Sequence, residues 1–251
     1  MSALARWAFC SRPLQHAALR LFCFPYAGGG SAIFRDWAHA LAPAIEVWAV
    51  QLPGRERRIA EPPIASIDGL VDALHKGLGT GLAGRYAFFG HSMGALLCFE
   101  LARRLRQLGR DGPAKLIVSG FRAPHLPDER PPIGELPLPA FVAELRRMNG
   151  TPAGVLEHDE LLALVLPALR ADFCAVEGYR HRPKPPIASP VFACGGRNDS
   201  DISGDDLSAW REHTTGAFGM QVFDGDHFYL HSQREALCAT LLEQLTAGFP
   251  A

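Results

Sequence analysis

The sequence lacks the features that mark several large classes of protein. Charged residues fill only 20% of its 251 positions and the formal net charge is −1, so no excess of one sign favours disorder or a charged partner. The arginines are scattered, apart from short clusters such as GRERR at 54–58, and they form no basic stripe for a phosphate backbone. We therefore expect a globular chain that does not bind nucleic acid.

Long hydrophobic runs and flexible linkers are missing as well. Arg12, Pro13 and His16 interrupt the apolar residues near the N-terminus, so we expect neither a signal peptide nor a membrane anchor. No Ser/Gly-rich or charge-rich stretch divides the chain, and its length suits one α/β domain. The sequence thus predicts a single domain over residues 1–251 that has no membrane partner.

The cysteines form no C-x-x-C pair, and most lie inside apolar segments. Such positions favour buried, reduced thiols over disulfides and predict a cytoplasmic location. The six cysteines are Cys10, Cys23, Cys98, Cys174, Cys194 and Cys238.

Short apolar runs alternate with segments of helical periodicity, which predicts a mostly parallel sheet with helices on both faces. The predicted strands are 19–24, 45–52, 85–90, 114–120, 189–196 and 218–225. The predicted helices between them are 32–41, 67–78 with Ser66 as its cap, and 93–108. The fold class is therefore α/β.

The interval 122–188 breaks this alternation. It contains Pro-rich loops and helical stretches near 138–148 and 159–179, which is more chain than one crossover needs. Long insertions in compact domains usually serve function, so we expect a helical lid or substrate-binding insertion over the active site.

The segment GHSMG, at 90–94, fits the pattern G-x-S-x-G. A predicted strand precedes it and a predicted helix follows, as at the nucleophile turn of α/β-hydrolases. In that sharp turn the serine takes a strained backbone conformation, and both glycine positions must be small so that strand and helix can approach. The pattern predicts that Ser92 is a nucleophile.

A nucleophilic serine needs a histidine base, and that histidine needs a carboxylate to hold its tautomer. In α/β-hydrolases the acid and then the base follow later strands. Asp199 follows the predicted strand that ends near Cys194, and His227 follows the strand that ends near Phe223. We predict Ser92, Asp199 and His227 as the triad.

Other carboxylates lie near enough in sequence to compete with Asp199. They are Asp201, Asp224 and Asp226, of which the last two also suit a shaping role in the loop before His227. These alternatives stay open at the level of sequence.

Two further histidines lie close to the predicted triad. His91 is adjacent to the nucleophile, where we expect its side chain to point away from that of Ser92 and to support packing or the loop. His231 is expected at the start of the last helix. Neither is predicted to be the base.

Metal and nucleotide motifs are incomplete. The run DSDISG, at 199–204, begins like a calcium loop, but its twelfth position is Trp210 where that loop has glutamate. FPYAGGGSA, at 24–32, lacks the G-K-[ST] of a phosphate loop and the third glycine of G-x-G-x-x-G. We predict no metal and no cofactor.

The same glycine-rich segment suits an oxyanion loop. It follows the first strong predicted strand, where a backbone N–H can join that of Met93 to bind the charge developing on a carbonyl oxygen. Ala27 is the candidate for that second donor. A glycine-rich turn that caps the next helix is the alternative.

Five segments together resemble the type II thioesterases that accompany modular peptide and polyketide synthases, a branch of the α/β-hydrolases. The similarity extends over nearly the whole chain. The segments are CFPYAGGGSAIFRDW (23–37), VQLPGRERR (50–58), GHSMGA (90–95), GGRNDSDI (195–202) and GDHFYL (225–230).

The resemblance implies an α/β-hydrolase fold and hydrolysis of acyl groups from the phosphopantetheine thiol of acyl or peptidyl carrier proteins, which clears stalled or wrong units. It implies Ser92 as nucleophile, His227 as base and Asp199 as its orienting acid, with Ala27 and Met93 as oxyanion donors. The interval 122–188 would be a mobile lid, and we expect a monomer. We assign the arginines of LPGRERR no catalytic role.

Two other functions fit the same residues. A free-standing serine esterase or lipase, acting on small esters or acyl-CoA, would use the same triad, and only the combined family signature disfavours it. A hydrolase fold kept as a binding module requires a lost catalytic residue, whereas all three triad positions are occupied.

Overall fold

One seven-stranded sheet runs through the computed structural model, which describes residues 3–247. The strands are β1 (Ala8–Phe9), β2 (Leu19–Phe24), β3 (Ile45–Val50), β4 (Tyr86–His91), β5 (Leu116–Ser119), β6 (Val191–Gly196) and β7 (Phe218–Phe223). Their order is β1-β3-β2-β4-β5-β6-β7, and only β1 is antiparallel to its neighbour. The predicted mostly parallel sheet is confirmed.

Sequence periodicity found six of these strands to within two residues at each end. It missed β1, because a strand of two residues is too short to show alternation. β1 pairs Ala8 with Val50 and Phe9 with Ala49 along the outer edge of β3.

The helices of the described part lie between and beyond the strands, and none of them is both long and apolar enough to cross a membrane. They are α1 (Ala3–Trp7), α2 (Trp37–Ala40), α3 (Ile67–Leu78), α4 (Met93–Gln107), α5 (Leu138–Met148), α6 (Ala153–Leu156), α7 (Asp159–Glu177), α8 (Gly204–Ser208), α9 (Tyr229–Ser232) and α10 (Arg234–Thr246). As predicted, the Ser66 side chain caps α3, accepting a hydrogen bond from the Gly69 N–H.

The helix predicted over 32–41 is wrong as a single element. The chain forms a 3₁₀ helix, Ser31–Phe34, and then the short α2. Phe34 and Trp37 are three residues apart and both are buried against Phe89, with ring centroids 6.1 and 4.9 Å from it. A tighter turn brings residues i and i+3 onto one face, which suits this pair better than regular α-helical spacing.

Two apolar cores lie on opposite faces of the sheet. Along β2, Phe22 and Phe24 belong to the core under α3 and α4, whereas Leu21 and Cys23 belong to the core under α2 and α10. Successive side chains of a strand point to opposite faces, so a strand covered on both sides is mostly apolar. This is why the central strands appear in the sequence as short, mostly hydrophobic runs.

The predicted insertion contains α5, α6 and α7, between β5 and β6. It has an apolar cluster of its own, which includes Phe141, Leu145, Leu156 and Leu169. The insertion is therefore a small packed unit joined to the sheet, and its inner side faces the ends of β2 and β4.

Candidate active site

Ser92 lies in the sharp turn between β4 and α4. Its backbone has φ 52° and ψ −120°, a conformation that non-glycine residues rarely adopt. The Ser92 N–H donates to the Ser119 carbonyl at the end of β5, with N···O 2.7 Å. Strain held in place by neighbouring structure is common at functional sites.

The two glycines of GHSMG are required by contact between backbones. A Cβ at position 90 would lie 2.1 Å from the Gly94 carbonyl oxygen, and a Cβ at position 94 would lie 2.2 Å from the Phe24 carbonyl oxygen. The small residues thus let β4, the start of α4 and the end of β2 meet around Ser92, as the sequence predicted.

His227 and Asp199 meet although 28 positions separate them in sequence. Nδ1 of His227 lies 2.7 Å from Oδ2 of Asp199, and the Asp201 N–H donates to the other oxygen, Oδ1, at 2.9 Å. The Asp199 side chain is 1% exposed. The carboxylate is therefore buried with both oxygens bound, which fixes the imidazole ring.

The competing carboxylates have other partners. Asp201 pairs with Arg130 of the insertion, with 3.1 Å between Oδ2 and the guanidinium. Asp224 pairs with Arg197 on the surface, and Asp226 accepts a hydrogen bond from the Phe228 N–H. Of the four aspartates that the sequence left open, the one that contacts His227 is Asp199.

Ser92 and His227 line the same pocket. No hydrogen bond joins their side chains among residues 3–247. Hydrogen bonds between catalytic groups are often long before substrate binds. The structure brings the predicted nucleophile, base and acid together at the carboxyl ends of the parallel strands.

The predicted oxyanion donors lie on the two segments that meet at Gly94. Ala27 lines the pocket beside Ser92, two residues beyond the segment that contacts Gly94. Met93 is the first residue of α4, where backbone N–H groups have no partner inside the helix. Within the described chain, neither the Ala27 nor the Met93 N–H makes a hydrogen bond, so both remain available to a ligand oxygen.

The insertion supplies the apolar wall of the pocket. Its lining side chains include Leu145 and Met148 from α5 and Leu169 and Phe173 from α7, and the cavity they leave beside Ser92 is about 40 Å³. Such a space suits a small apolar group in contact with the nucleophile.

His91 is buried next to the His227 ring, in agreement with its predicted supporting role. Its Nδ1 lies 2.8 Å from the Ser119 hydroxyl, which lies 2.6 Å from the Tyr229 hydroxyl. Complete burial, together with the nearby His227 and His231, holds the pKa of His91 well below its usual range. The neutral ring packs 5.1 Å from the His227 ring, measured between centroids.

The prediction for His231 is wrong: it lies in α9, and the last described helix, α10, begins at Arg234. Its Nε2 lies 3.1 Å from the Tyr26 hydroxyl.

Sequence reasoning missed Tyr26 and Phe228, whose rings pack 5.0 Å apart and line the pocket. Each is adjacent in sequence to a predicted site residue, Tyr26 to Ala27 and Phe228 to His227, and that adjacency could have indicated them.

Across the described chain, no group of three or more His, Cys, Asp or Glu side chains is arranged to hold a metal ion. The chemistry available in the pocket is that of the serine, the imidazole, the carboxylate and backbone N–H groups.

Comparisons with known proteins show similarity over nearly the whole chain. The family model described as a thioesterase domain matches residues 19–245. The gramicidin S biosynthesis protein GrsT of Aneurinibacillus migulanus is 40% identical over 245 residues, covering 98% of this chain and 96% of GrsT. Thioesterase PikA5 of Streptomyces venezuelae is 41% identical over 249 residues, covering 97% and 88% of the two chains.

Among solved structures, the type II thioesterase BorB from the borrelidin biosynthetic cluster superposes with a TM-score of 0.88. It is 40% identical in sequence, and the match covers 95% of this chain and 97% of BorB. The similarity therefore extends over nearly the whole fold.

Proposed function

The chain belongs to the thioesterase family, and from that premise we propose that Ser92, His227 and Asp199 are its catalytic triad. The observation that carries the proposal is the buried Asp199–His227 hydrogen bond of 2.7 Å, made by a histidine that shares its pocket with a serine in a strained turn. The proposed activity is that of a stand-alone thioesterase serving peptide or polyketide biosynthesis.

In the first half-reaction the Ser92 hydroxyl adds to the thioester carbonyl while Nε2 of His227 accepts its proton. The carbonyl oxygen becomes an oxyanion, to which the N–H groups of Ala27 and Met93 donate. When this intermediate collapses, the carbon–sulfur bond breaks, the thiol leaves with the proton from His227, and the acyl group stays on Ser92 as an ester.

The second half-reaction repeats the first with water as nucleophile. His227 takes a proton from water, the same two N–H groups bind the new oxyanion, and collapse returns the proton to Ser92 and releases the carboxylic acid. Asp199 stays ionised throughout. It holds Nδ1–H of His227, so that Nε2 faces the serine, and stabilises the imidazolium that forms in each half-reaction.

We propose a short acyl group presented on a carrier protein as the preferred substrate. The small cavity between Ser92 and the insertion supports the short chain, and the biosynthetic settings of GrsT, PikA5 and BorB support the carrier. Contacts remote from the reacting carbon add binding energy that can be used in the transition state, so a carrier should raise kcat/KM. The lid role of 122–188, a monomeric state and a cytoplasmic location remain predictions.

The test presents one acyl group in four ways: on a carrier protein, on coenzyme A, on a short pantetheine mimic and as a simple oxygen ester. We expect all three thioesters to react, with kcat/KM on the order of tenfold higher or more for the carrier than for the mimic. Ser92→Ala supplies the background rate.

The alternative function is that of a free-standing serine esterase acting on small esters or acyl-CoA, because the same triad would serve it. A preference for the oxygen ester, with no gain from the carrier, would replace the proposal with the esterase. Equal kcat/KM on coenzyme A and carrier would make the enzyme an acyl-CoA hydrolase.

A further inference from the structure

The LPGRERR segment, to which the sequence assigned no catalytic role, contacts the proposed oxyanion loop. The Arg55 guanidinium is buried, and its Nη1 donates to the Gly29 carbonyl at 3.1 Å. The same guanidinium binds both oxygens of Asp172 on α7, at 2.6 and 2.8 Å. Arg55 therefore lies between the oxyanion loop and the insertion.

Asp172 also binds the loop directly. Its side chain is 1% exposed, and Oδ2 accepts a hydrogen bond of 2.7 Å from the Gly28 N–H. That N–H belongs to the peptide unit immediately after Ala27. One buried carboxylate of the insertion thus holds the backbone next to the proposed oxyanion donor, and Arg55 balances its charge.

Glu56 holds the other end of the loop. Its carboxylate accepts hydrogen bonds from the Ser31 N–H at 3.0 Å, the Ser31 hydroxyl at 2.6 Å and the Ala32 N–H at 2.9 Å. Adjacent residues of one turn therefore bind both ends of a glycine-rich loop.

The loop has little structure of its own. Between Tyr26 and Gly30 the described backbone makes one internal hydrogen bond, from the Gly29 N–H to the Tyr26 carbonyl, at 2.9 Å. Three consecutive glycines carry the largest conformational freedom that a chain can have. The position of the Ala27 N–H thus depends on the side chains that bind the loop from outside.

Packing adds to the connection with α7. Gly28 has φ +76°, and a Cβ there would lie 2.2 Å from a terminal carbon of Leu169, three residues before Asp172 in the same helix. The loop is therefore seated on α7 by contact as well as by hydrogen bonds.

We propose that Arg55, Glu56 and Asp172 form a loop clamp: positioning residues that hold the Ala27 N–H where the oxyanion develops. The inference rests on the oxyanion role proposed above for Ala27. Because Asp172 belongs to the insertion, the clamp also makes a complete oxyanion site depend on α7 being docked against the loop.

A contribution to folding stability does not by itself explain the buried Arg55–Asp172 ion pair. Removing two charges from water is costly, and well-packed apolar residues of similar volume often stabilise a fold as well as a buried pair does. A pair that aligns a backbone N–H with a developing charge acts in the transition state, where a donor displaced by about 1 Å costs on the order of 10² in rate.

The experiment compares Asp172→Ala, Asp172→Asn and Arg55→Lys with the wild type. It measures kcat and KM on an acyl-pantetheine thioester, and the Ki of an alkyl trifluoromethyl ketone, which takes up the serine oxygen and leaves an oxyanion. Glu100→Gln is the matched control, because it alters another buried pair, Arg103–Glu100, with side chains 4% and 11% exposed.

We expect Asp172→Ala to lower kcat by about 30- to 100-fold with KM changed by less than about threefold, and to raise Ki by a factor similar to the fall in kcat/KM. Asp172→Asn keeps an acceptor for the Gly28 N–H, so it should recover most of that loss. Arg55→Lys cannot form the bidentate pair and should fall between them.

If Asp172→Ala does not fold, Glu56→Ala and Glu56→Gln test the loop clamp instead. Glu56 is exposed, so its replacement should disturb folding less. We expect about a tenfold loss of kcat in Glu56→Ala and recovery in Glu56→Gln, with Ki following. The loop clamp is overturned if kcat and Ki of the folded variants change no more than in Glu100→Gln. A wild-type enzyme that did not hydrolyse the thioester would instead reject the proposed function.

Discussion

Ser92 contributes a single oxygen atom to the pocket, so its removal changes the chemistry far more than the packing. We expect Ser92→Ala to lower thioester turnover by a factor on the order of 10⁴ or more and to leave the melting temperature within about 2 °C. A fluorophosphonate should label the Ser92 peptide of the wild type, detected by mass spectrometry, and should leave the variant unlabelled. A folded, active variant would contradict the nucleophile assignment.

Asp199 and Asp201 offer a matched pair two positions apart, in the same loop. Asparagine at 199 keeps the shape but favours the wrong tautomer of His227, so we expect kcat to fall by a factor on the order of 10³ to 10⁴. Asp201→Asn removes an ion pair with Arg130 and should cost less than about tenfold.

Steady-state rates on one thioester, with melting temperatures as the control for folding, distinguish the two variants. If Asp201→Asn proved the more damaging, the acid would be misassigned. Asn198 and Ser200 flank Asp199 in this loop. The Asp199 carboxylate is buried and lies 2.7 Å from Nδ1 of His227.

At the scale of elements, α7 divides into two parts around Pro167, a residue that cannot donate a backbone hydrogen bond within the helix. Before it, Leu161 and Leu164 are 46% and 55% exposed. After it, Leu169 and Asp172 are buried against the oxyanion loop. The part of the helix after Pro167 therefore carries these contacts to the loop.

Phe173, on the part of α7 after Pro167, lies in the wall of the cavity that we propose as the acyl pocket. Its ring packs edge to face against Phe141, with centroids 5.7 Å apart, and lines the cavity beside Ser92. We expect Phe173→Ala to open that wall and to shift the acyl chain that gives the highest kcat/KM towards longer chains by about two to four carbons.

The measurement is kcat/KM across a series of acyl-pantetheine thioesters of increasing chain length. Leu164→Ala is the control, because it makes a similar truncation on the exposed side of the same helix. An unchanged preference in Phe173→Ala would show that another wall of the pocket sets the chain length.

At the scale of the whole molecule, three histidines join segments that are far apart in sequence. Nδ1 of His125 lies 2.7 Å from Nε2 of His213, and the His181 ring packs 5.2 Å from the His213 ring. Burial, and then the charges of His125, His181 and Arg103, lower the pKa of His213 to about 4. His213 is therefore favoured in its neutral form.

This pKa predicts how stability depends on pH. In the unfolded chain His213 binds a proton below its usual pKa of about 6.5, so the unfolded state binds more protons between about pH 6.5 and 4. The contribution of His213 is thus fully present above about pH 6.5 and is lost as pH falls towards 4. The loss should be on the order of 3 kcal/mol of unfolding free energy.

Urea unfolding at a series of pH values measures this slope. His213→Phe keeps a ring against Phe99 and Trp210 and does not titrate, so its stability should fall less steeply between pH 6.5 and 4. The unfolding free energy of His213→Phe should still decrease somewhat as pH falls, because the buried His91 also has a lowered pKa. Identical slopes in the two proteins would contradict the prediction.

Much of the fold could be predicted because it follows from local pattern. Six of the strands are mostly apolar short runs and were therefore visible in the sequence, whereas the two residues of β1 carried no signal. The break in the helix at 32–41 escaped prediction, because it comes from packing of Phe34 and Trp37 on Phe89, a residue of another element.

The sequence by itself determined the parallel sheet, the turn at Ser92 and the order of the candidate triad, since steric limits and periodicity act between near neighbours. Only the tertiary structure decided which aspartate contacts His227 and which residues hold the oxyanion loop. Arg55 and Asp172 are 117 positions apart, and a pairing over such a distance is set by how the strands and the insertion pack. A buried charge needs a partner to offset its loss of hydration. Which residue becomes that partner depends on the tertiary fold, so local sequence patterns do not predict it.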